Sequence, residues 1–372
     1  MWTEFITATS HYQVLYSTST DKGATWAAPT VVYDTNNLVM TGPALAEDND
    51  GNIHVSVTVS DGVGGYDLYY FQKPFGGAWS GGTLIRDGSA LGGIVQYASI
   101  CVDGDDNIWI AWVLRIGAIG RVRATKSSDG GASWGADEMV SGGVNSANFP
   151  NIIVDDNEVP HAAWIETIAT KSQPMYNNRI GGAWNVPVQL DADANYNADA
   201  ASIAISATGD VWVATCKRRA LDAAAQVYYY RYTGGAWGGA TLVSDDSANA
   251  CGYVSLGADG AGRVYFVWQQ SGVLTDVYER TWNGAGLDAQ ITLSNGAAGF
   301  GGWRTSQAHT SWPNWSNPEI GFAAAFGCLG ASRLDYYGPD DLKWPSGGHH
   351  PCLHRPLKER ALQGHVPGGQ FY

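Results

Sequence analysis

Residues 127–134 read SSDGGASW and residues 19–26 read STDKGATW, so the pattern Ser-x-Asp-x-Gly-x-Thr/Ser-Trp occurs twice in full. In such a turn the Asp side chain accepts backbone N–H groups, Gly supplies φ > 0, and Trp fills the space between neighbouring sheets. The stretch is therefore predicted to be a structural clip rather than a catalytic motif. Its defining positions are Ser19, Asp21, Gly23 and Trp26 in one copy and Ser127, Asp129, Gly131 and Trp134 in the other.

Shortened copies of this turn recur at a period of about 50 residues, which is typical of a radial repeat architecture. They keep the glycines, and mostly the Trp, and stand at 76–79, 181–184, 234–237 and 284–287. Before each turn come two strands joined by an Asn/Asp/Gly hairpin and then a third strand, and a fourth strand follows the turn. The chain is therefore predicted to be an all-β protein, a β-propeller of four-stranded antiparallel blades.

Third strands counted from residues 12–16 to residues 334–337 number about seven, so seven blades are favoured over six. The first blade is expected to lack its inner strand. The propeller is predicted to span residues 1–338. Residues 339–372 carry half of the eight histidines, with Pro, Lys and Arg but no strand alternation, and are read as a disordered tail or as out-of-frame sequence. His349, His350, Cys352 and His354 in this tail are interpreted as a chance cluster, not a metal site.

The composition excludes several classes of partner. A net charge of −14, from 35 acidic and 21 basic residues, disfavours nucleic acid and anionic membranes. No apolar run is long enough to cross a bilayer, and no signal peptide is visible. Five cysteines form no disulfide framework, although Cys216 and Cys251 could bridge. The acidic hairpins are read as ordinary turns, with structural calcium as a lesser alternative. No cofactor or metal is predicted.

The two full turns resemble the Asp box of the sialidase superfamily, whose members carry bacterial neuraminidase repeats. The resemblance implies a propeller fold, a glycan or polysaccharide ligand, and an extracellular or cell-surface location. It also implies that a true sialidase would have a Tyr nucleophile paired with Glu, an Asp acid/base and three arginines that clamp a carboxylate. The first of those arginines belongs to a Phe/Tyr-Arg-Ile-Pro motif, which is absent here, and no Arg precedes Arg86. No catalytic residue is therefore carried over.

Three functions follow from this reading. The first is a carbohydrate-recognition propeller without proven catalysis. The second is a sialidase-like glycoside hydrolase or a polysaccharide lyase that acts on an acidic sugar. The third is a structural propeller that holds a protein partner, which leaves the enzyme assignment open.

Blade geometry predicts a ligand site on the face opposite the Trp turns. Aromatic residues just before the inner strands could stack on sugars, or could pack blade on blade. These residues are Tyr97, Phe149, Tyr253 and, by a weaker alignment, Trp312, while Gly42 and Ala200 take the slot elsewhere. Arg115, Lys217, Arg218, Arg219 and Gln269 follow second strands on the same face, and Glu166 and Asp199 are candidate general acids or bases; solvated loops are the alternative. His54 and His161 are interpreted as strand packing residues.

Overall fold

The computed structural model describes residues 1–6, 11–20, 25–35, 38, 42–191, 193, 197–219, 222, 224–245, 248–271, 275–293, 301–306, 322–328 and 331–337. The chain divides into two compact units, Met1–Leu342 and Lys343–Tyr372. Most of the predicted tail, including its His and Cys cluster, belongs to the second unit and lies outside the described residues.

Seven sheets, numbered here in chain order, make up the described part of the first unit. Sheet 1 contains β1 (Trp2–Ile6), β2 (His11–Tyr16) and β3 (Thr30–Asp34). Sheet 2 contains β4 (Ala44–Glu47), β5 (Ile53–Ser60), β6 (Tyr66–Lys73) and β7 (Thr83–Arg86). Sheet 3 contains β8 (Ile94–Val102), β9 (Ile108–Ile116), β10 (Ile119–Ser127) and β11 (Glu138–Met139). Sheet 4 contains β12 (Ala147–Val154), β13 (Pro160–Ile168), β14 (Lys171–Ile180), β15 (Ala183–Trp184) and β16 (Val188–Gln189).

The remaining sheets follow the same order. Sheet 5 contains β17 (Ala198–Ile205), β18 (Val211–Lys217), β19 (Gln226–Thr233), β20 (Ala236–Trp237) and β21 (Thr241–Leu242). Sheet 6 contains β22 (Cys251–Ala258), β23 (Val264–Ser271), β24 (Thr275–Trp282) and β25 (Ile291–Thr292). Sheet 7 contains β26 (Gly301–Ser306), β27 (Phe322–Cys328) and β28 (Ala331–Tyr337). The prediction of an all-β chain is confirmed, and several of its sheets are four-stranded and antiparallel, namely sheets 2, 3 and 6. In sheets 4 and 5 the fourth strand is split into two short pieces, and sheets 1 and 7 have three strands each among the described residues.

Consecutive sheets meet at their first strands. From sheet 2 to sheet 7, β4, β8, β12, β17, β22 and β26 each contact the next strand in this series. Serine hydroxyls tie some of them together: Ser99 Oγ on β8 accepts a hydrogen bond from the Ile152 amide on β12 (3.2 Å), and Ser202 Oγ on β17 accepts one from the Leu256 amide on β22 (2.9 Å). The first strand of each of these sheets is therefore its inner strand.

The hydrophobic core lies between the sheets. Second strands such as β9 and β18 are buried along almost their whole length, because a neighbouring sheet covers each face. The largest fully buried side chains include Trp112, Trp164 and Trp268, which occupy the same register position in sheets 3, 4 and 6. Each such ring removes on the order of 200 Å² from water, which stabilises the fold by about 5 kcal/mol.

The clip at residues 127–134 closes as an Asp-centred turn. Asp129 Oδ1 accepts the Ser133 amide (2.8 Å) and the Ser127 hydroxyl (2.8 Å), and Ser127 Oγ accepts the Gly131 amide (2.9 Å). Hydrogen bonds, first of all from the Ser133 hydroxyl, lower the pKa of Asp129 to about 2. Trp134 packs edge-on against Tyr70 of sheet 2, with ring centroids 5.3 Å apart. The turn thus fastens sheet 3 to sheet 2.

The other copies of the clip are described only in part. Trp79 and Trp237 make the same edge-on contact with a tyrosine of the preceding sheet, Tyr16 and Tyr176 respectively. In the copy at residues 19–26, Ser19 and Trp26 are described, whereas Asp21 and Gly23 lie outside the described residues.

The acidic hairpins use their own carboxylates. Asp48, Asp103, Asp155 and Asp259 each accept backbone N–H groups from the residues two and four positions later. The second carboxylate oxygen faces the residue six positions later, at 3.0 Å for His54 Nε2, 3.2 Å for Trp109 Nε1, 3.3 Å for His161 Nε2 and 3.0 Å for the Tyr265 hydroxyl. These oxygens hold the turn and its strand, which favours the turn interpretation over calcium.

His54 and His161 are buried between the sheets. Each Nδ1 lies 2.6 Å from a tyrosine hydroxyl, that of Tyr70 and Tyr176 respectively. Their packing role agrees with the sequence interpretation. Among the described residues, no helix has the length and hydropathy to cross a membrane. Cys216 and Cys251 are buried free thiols, so the bridge considered from the sequence is not formed.

Candidate functional site

A β-bulge recurs at one register position in the first strands of sheets 3 to 7. In each case two residues of the first strand face one residue of the second strand. The end of the sheets that carries these bulges is called the bulge end below, and it lies opposite the acidic hairpins and the Trp turns. The first residues of the five bulges are Tyr97, Phe149, Asp199, Tyr253 and Trp303.

Three of these residues have a strained backbone. Their φ angles are 55° for Tyr97, 52° for Phe149 and 54° for Tyr253. Left-handed φ costs about 1 to 2 kcal/mol for a residue with a side chain, and aromatic residues are uncommon there. The surrounding sheets hold this conformation, and strain of this kind clusters at functional sites.

The register corrects one position of the predicted site and leaves another untested. Trp312 lies outside the described residues, and the bulge position of sheet 7 is occupied by Trp303. In sheet 5 the equivalent residue is Asp199 rather than Ala200, because Ala201 pairs with Thr215 as Ser99 pairs with Ala111 in sheet 3. The sequence comparison did not find Trp303, and it placed the position of sheet 5 one residue too far along the chain.

The Tyr97 and Phe149 rings contact each other across sheets 3 and 4. Their centroids are 4.4 Å apart at an interplanar angle of 51°, and both side chains are half-buried. This contact is the sheet-to-sheet packing that the sequence left as the alternative. Tyr253 in sheet 6 is more open, with 39% of its surface exposed.

Arg115, at the end of β9, lies beside this aromatic pair. Its guanidinium donates to Gln96 Oε1 (3.3 Å) and to Asn148 Oδ1, and these two residues directly precede Tyr97 and Phe149. It also donates to the Ala118 carbonyl and the Ser146 hydroxyl, both at 3.4 Å. The structure therefore ties Arg115 to the residues that directly precede Tyr97 and Phe149.

Glu166 is 4% exposed and serves the packing of sheet 4. One carboxylate oxygen accepts the Trp164 indole N–H (2.9 Å) and the other accepts the Asn145 amide (3.1 Å). In sheet 6, Gln270 accepts the indole N–H of Trp268 from the equivalent position (3.3 Å). Because the side-chain amide of Gln270 accepts an indole N–H in the same way, this geometry favours a structural role for Glu166 over acid–base chemistry.

Asp199 lies between sheets 5 and 6. Its backbone carbonyl accepts the Thr215 hydroxyl (2.9 Å). Its carboxylate is close to Gly252, at which an added Cβ would stand 3.9 Å from Asp199 Oδ2. Gly252 directly precedes Tyr253, so Asp199 and Tyr253 are neighbours on adjacent first strands.

A second group of charged side chains is centred on Asp191, which follows β16. Asp191 Oδ2 accepts hydrogen bonds from Lys217 Nζ (3.1 Å), Arg219 Nη1 (2.8 Å) and the Tyr230 hydroxyl (2.7 Å). Lys217 is fully buried, and its Nζ also donates to Gln173 Oε1 (2.7 Å). Burial works to raise the pKa of Asp191, but the Asp193 amide, the Tyr230 hydroxyl and Lys217 hold it below its ordinary value.

Arg218 and Arg219 belong to this second group. Arg219 is paired with Asp191, and its guanidinium lies over the Tyr228 ring at 5.4 Å. Arg218 is exposed and donates to the Asp222 carbonyl (3.2 Å). The candidate cations thus fall into two groups, Arg115 at sheets 3 and 4 and the Asp191 group at sheets 4 and 5. Sequence reasoning missed Asp191 and Tyr230, which carry no local signal.

Comparisons with known proteins place the fold. A scan against protein-family models finds no match, and a search of curated proteins finds none either. Among solved structures, a protein of unknown function from Dyadobacter fermentans is 15% identical with a TM-score of 0.58, covering 81% of this chain and 94% of that one.

Two glycan-active enzymes match similarly. An ulvan lyase of polysaccharide lyase family PL25 is 13% identical with a TM-score of 0.55, covering 80% of this chain and 79% of that one. An α-L-arabinanase from Penicillium chrysogenum is 10% identical with a TM-score of 0.55, covering 81% and 93%. Sialidases are also among the matches. At these identities the likeness shows the fold alone, an all-β chain with β-propeller neighbours.

Proposed function

We propose that this chain is a carbohydrate-recognition β-propeller of the sialidase superfamily, in which the seven sheets are seven blades and residues 1–338 form the domain. The observation that carries the proposal is the row of strained aromatic residues at the bulge end: Tyr97, Phe149 and Tyr253. Similar structures support it, since the ulvan lyase is described bound to -[GlcA(1-4)Rha3S]- and the arabinanase complexed with arabinobiose. We also propose an extracellular or cell-surface location, which the resemblance to the sialidase superfamily implies.

The aromatic faces suit a sugar ligand for a physical reason. A sugar ring presents a face of C–H groups, which stacks on a flat aromatic ring, and its hydroxyls need hydrogen-bonding partners at the edge. Tyr253 is 39% exposed, and the half-buried pair Tyr97 and Phe149 directly follows Gln96 and Asn148, which are polar and hydrogen-bonded to Arg115. An idle packing surface would not require left-handed aromatic residues, since Gly or Asn adopts that φ at lower cost.

Recognition is favoured over turnover. Glu166, one of the two candidate acids, is occupied by Trp164 and Asn145. The arginine motif of true sialidases is also absent from the sequence. A hydrolase or lyase acting on an acidic sugar remains the second candidate only through Asp199, which is neighbour to Tyr253. A purely structural propeller with a protein partner is the third.

The test is a glycan array probed with the purified chain and with the single variants Tyr97→Ala and Tyr253→Ala. Loss of one stacked ring is expected to weaken binding by about tenfold, equivalent to about 1.4 kcal/mol. Phe75→Ala is the matched control, because Phe75 is an aromatic residue that is 82% exposed in the loop after β6, away from the bulge end. Absence of binding to every glycan would refute the function, and unchanged binding in both tyrosine variants would refute the site.

A further inference from the structure

We propose that Asn283 modifies itself: the backbone nitrogen of Gly284 displaces the side-chain nitrogen of Asn283, and the residue becomes aspartate or isoaspartate. The site is the turn at residues 283–288, which follows β24 and contains the shortened clip at residues 284–287. This modification is separate from glycan recognition and needs no bound ligand.

The reaction requires water as its only co-reactant. A bond forms between Gly284 N and Asn283 Cγ, the bond from Cγ to Nδ2 breaks, and Nδ2 leaves as ammonia after it takes up the proton that Gly284 N loses. Water then opens the cyclic imide at one of its two carbonyls, which gives aspartate or isoaspartate. No electrons are gained or lost, so neither an oxidant nor a reductant is needed.

The attacking nitrogen is unobstructed. Gly284 has a φ of 93°, and an added Cβ there would meet nothing within 4 Å. Among the described residues, the Gly284 amide donates to no acceptor. Asn283 and Gly284 are both exposed, so water reaches the turn. In the part of the chain that the structure describes, Asn283 is the one asparagine that directly precedes a glycine.

The carbonyl under attack is held by two backbone donors. Asn283 Oδ1 accepts the amide N–H of Ala285 (3.0 Å) and that of Gly286 (3.1 Å). Negative charge develops on Oδ1 when Gly284 N adds to Cγ, and these two donors stabilise that charge as an oxyanion hole does. The same hydrogen bonds fix the side chain over the backbone that attacks it, which lowers the entropy lost in ring closure.

The departing nitrogen lies beside a carboxylate. Asn283 Nδ2 donates to Asp288 Oδ1 at 2.5 Å. This carboxylate can carry the proton from Gly284 N, through water, to Nδ2, which is general acid–base catalysis. Asp288 is itself fixed, because its amide donates to the Thr281 carbonyl (2.8 Å) and its carbonyl accepts Arg280 Nε (2.6 Å). One short turn therefore supplies the nucleophile, the oxyanion donors and the proton carrier.

The experiment incubates the purified chain in neutral buffer and measures aspartate and isoaspartate at position 283 by peptide mapping with mass spectrometry. The same chain unfolded in guanidinium chloride gives the rate of the sequence without the turn. The folded chain is expected to react at least tenfold faster, since general acid–base catalysis contributes about a hundredfold or more. Asn185, which is exposed and precedes Val186, is the internal control and is expected to stay unmodified over the same period.

Asp288→Asn is the test variant, because asparagine can still accept a hydrogen bond from Asn283 Nδ2 but cannot carry a proton. Its folded chain is expected to react at least tenfold more slowly than the folded wild type. Asp156→Asn is the control, because it removes an exposed carboxylate from the hairpin of sheet 4, and it is expected to react like the wild type. If circular dichroism shows that Asp288→Asn does not fold, the comparison of folded and unfolded wild type decides by itself. A folded chain that reacts no faster than the unfolded chain, or a rate that Asp288→Asn leaves unchanged, overturns the proposal.

Discussion

The strained backbone of Tyr253 leads to a prediction that separates strain from side-chain packing. Tyr253→Ala and Tyr253→Gly remove the same ring, so their difference in free energy of unfolding reports on the backbone alone. At φ 54°, replacing alanine by glycine relieves about 1 to 2 kcal/mol of backbone strain. The greater conformational freedom of glycine in the unfolded chain offsets about 0.5 to 1 kcal/mol of this gain. The Gly variant is therefore expected to be more stable than the Ala variant by about 1 kcal/mol.

Tyr232 serves as a control for the sign of the stability difference between the Gly and Ala variants. Tyr232 is a tyrosine of similar exposure, 36%, in β19, and its φ is not among the positive values. There the Gly variant is expected to be less stable than the Ala variant by about 0.5 to 1 kcal/mol. Urea unfolding of the four variants, followed by tryptophan fluorescence, measures both differences. A Gly variant at position 253 that is less stable than its Ala counterpart would refute the left-handed bulge on which the site argument rests. Glycan binding should be weakened equally in both Tyr253 variants.

Three further predictions concern packing and buried charge. Gly131→Ala should lower the free energy of unfolding by about 3 kcal/mol, because the added Cβ would stand 2.3 Å from the buried ring of Tyr70. Gly130→Ala, where the added Cβ meets open space, should lower it by only about 1 kcal/mol. Equal losses in urea unfolding would contradict the clip geometry. Burial raises the pKa of Glu279 to about 7 from its ordinary value of 4.5, so the native state holds an extra proton and the free energy of unfolding falls as pH rises from about 4.5 to 7. At pH 8 the free energy of unfolding of Glu279→Gln should therefore exceed that of the wild type by up to about 3 kcal/mol. If the variant and the wild type show the same slope of stability against pH, the raised pKa of Glu279 is excluded. Asp191→Asn should lose about 3 to 5 kcal/mol by leaving Lys217 buried without a counter-charge, and a loss below 1 kcal/mol would show that the lysine reaches water.

Interactions between residues close in sequence were the most predictable. Asp129 bonds to Ser127 and Ser133, within the eight residues of the clip, and the hairpin carboxylate of Asp103 bonds to residues up to six positions later. Such contacts form from the local chain whatever the sheet does, so the turn residues reveal them. The positions of the Trp turns also predicted the four-stranded units, because a turn is needed wherever the chain passes from a third strand to an antiparallel fourth strand.

The bulge end was predictable only in outline. Tyr97, Phe149 and Tyr253 were identified because the residue before each inner strand could be counted from a clear strand pattern. In sheet 5 the sequence predicted Ala200 where the register places Asp199, because the side chains before this strand do not show where pairing starts. The partners of Glu166 could not be predicted for a related reason: one of them is the indole of Trp164, and which of the two faces of β13 each side chain occupies depends on the strand register.

The sequence by itself determined the all-β class, the repeated antiparallel unit and the local clips, because alternation, turn residues and Trp spacing act over a few neighbouring positions. Only the tertiary structure decided which charges meet. Asp191 is joined to Arg219 and Tyr230, 28 and 39 residues further along the chain, while the acceptors that Arg115 finds among the described residues are neutral. The physical reason is that a charge is neutralised or left available by what neighbouring sheets bring to it, and the stacking of sheets leaves no pattern in any single segment.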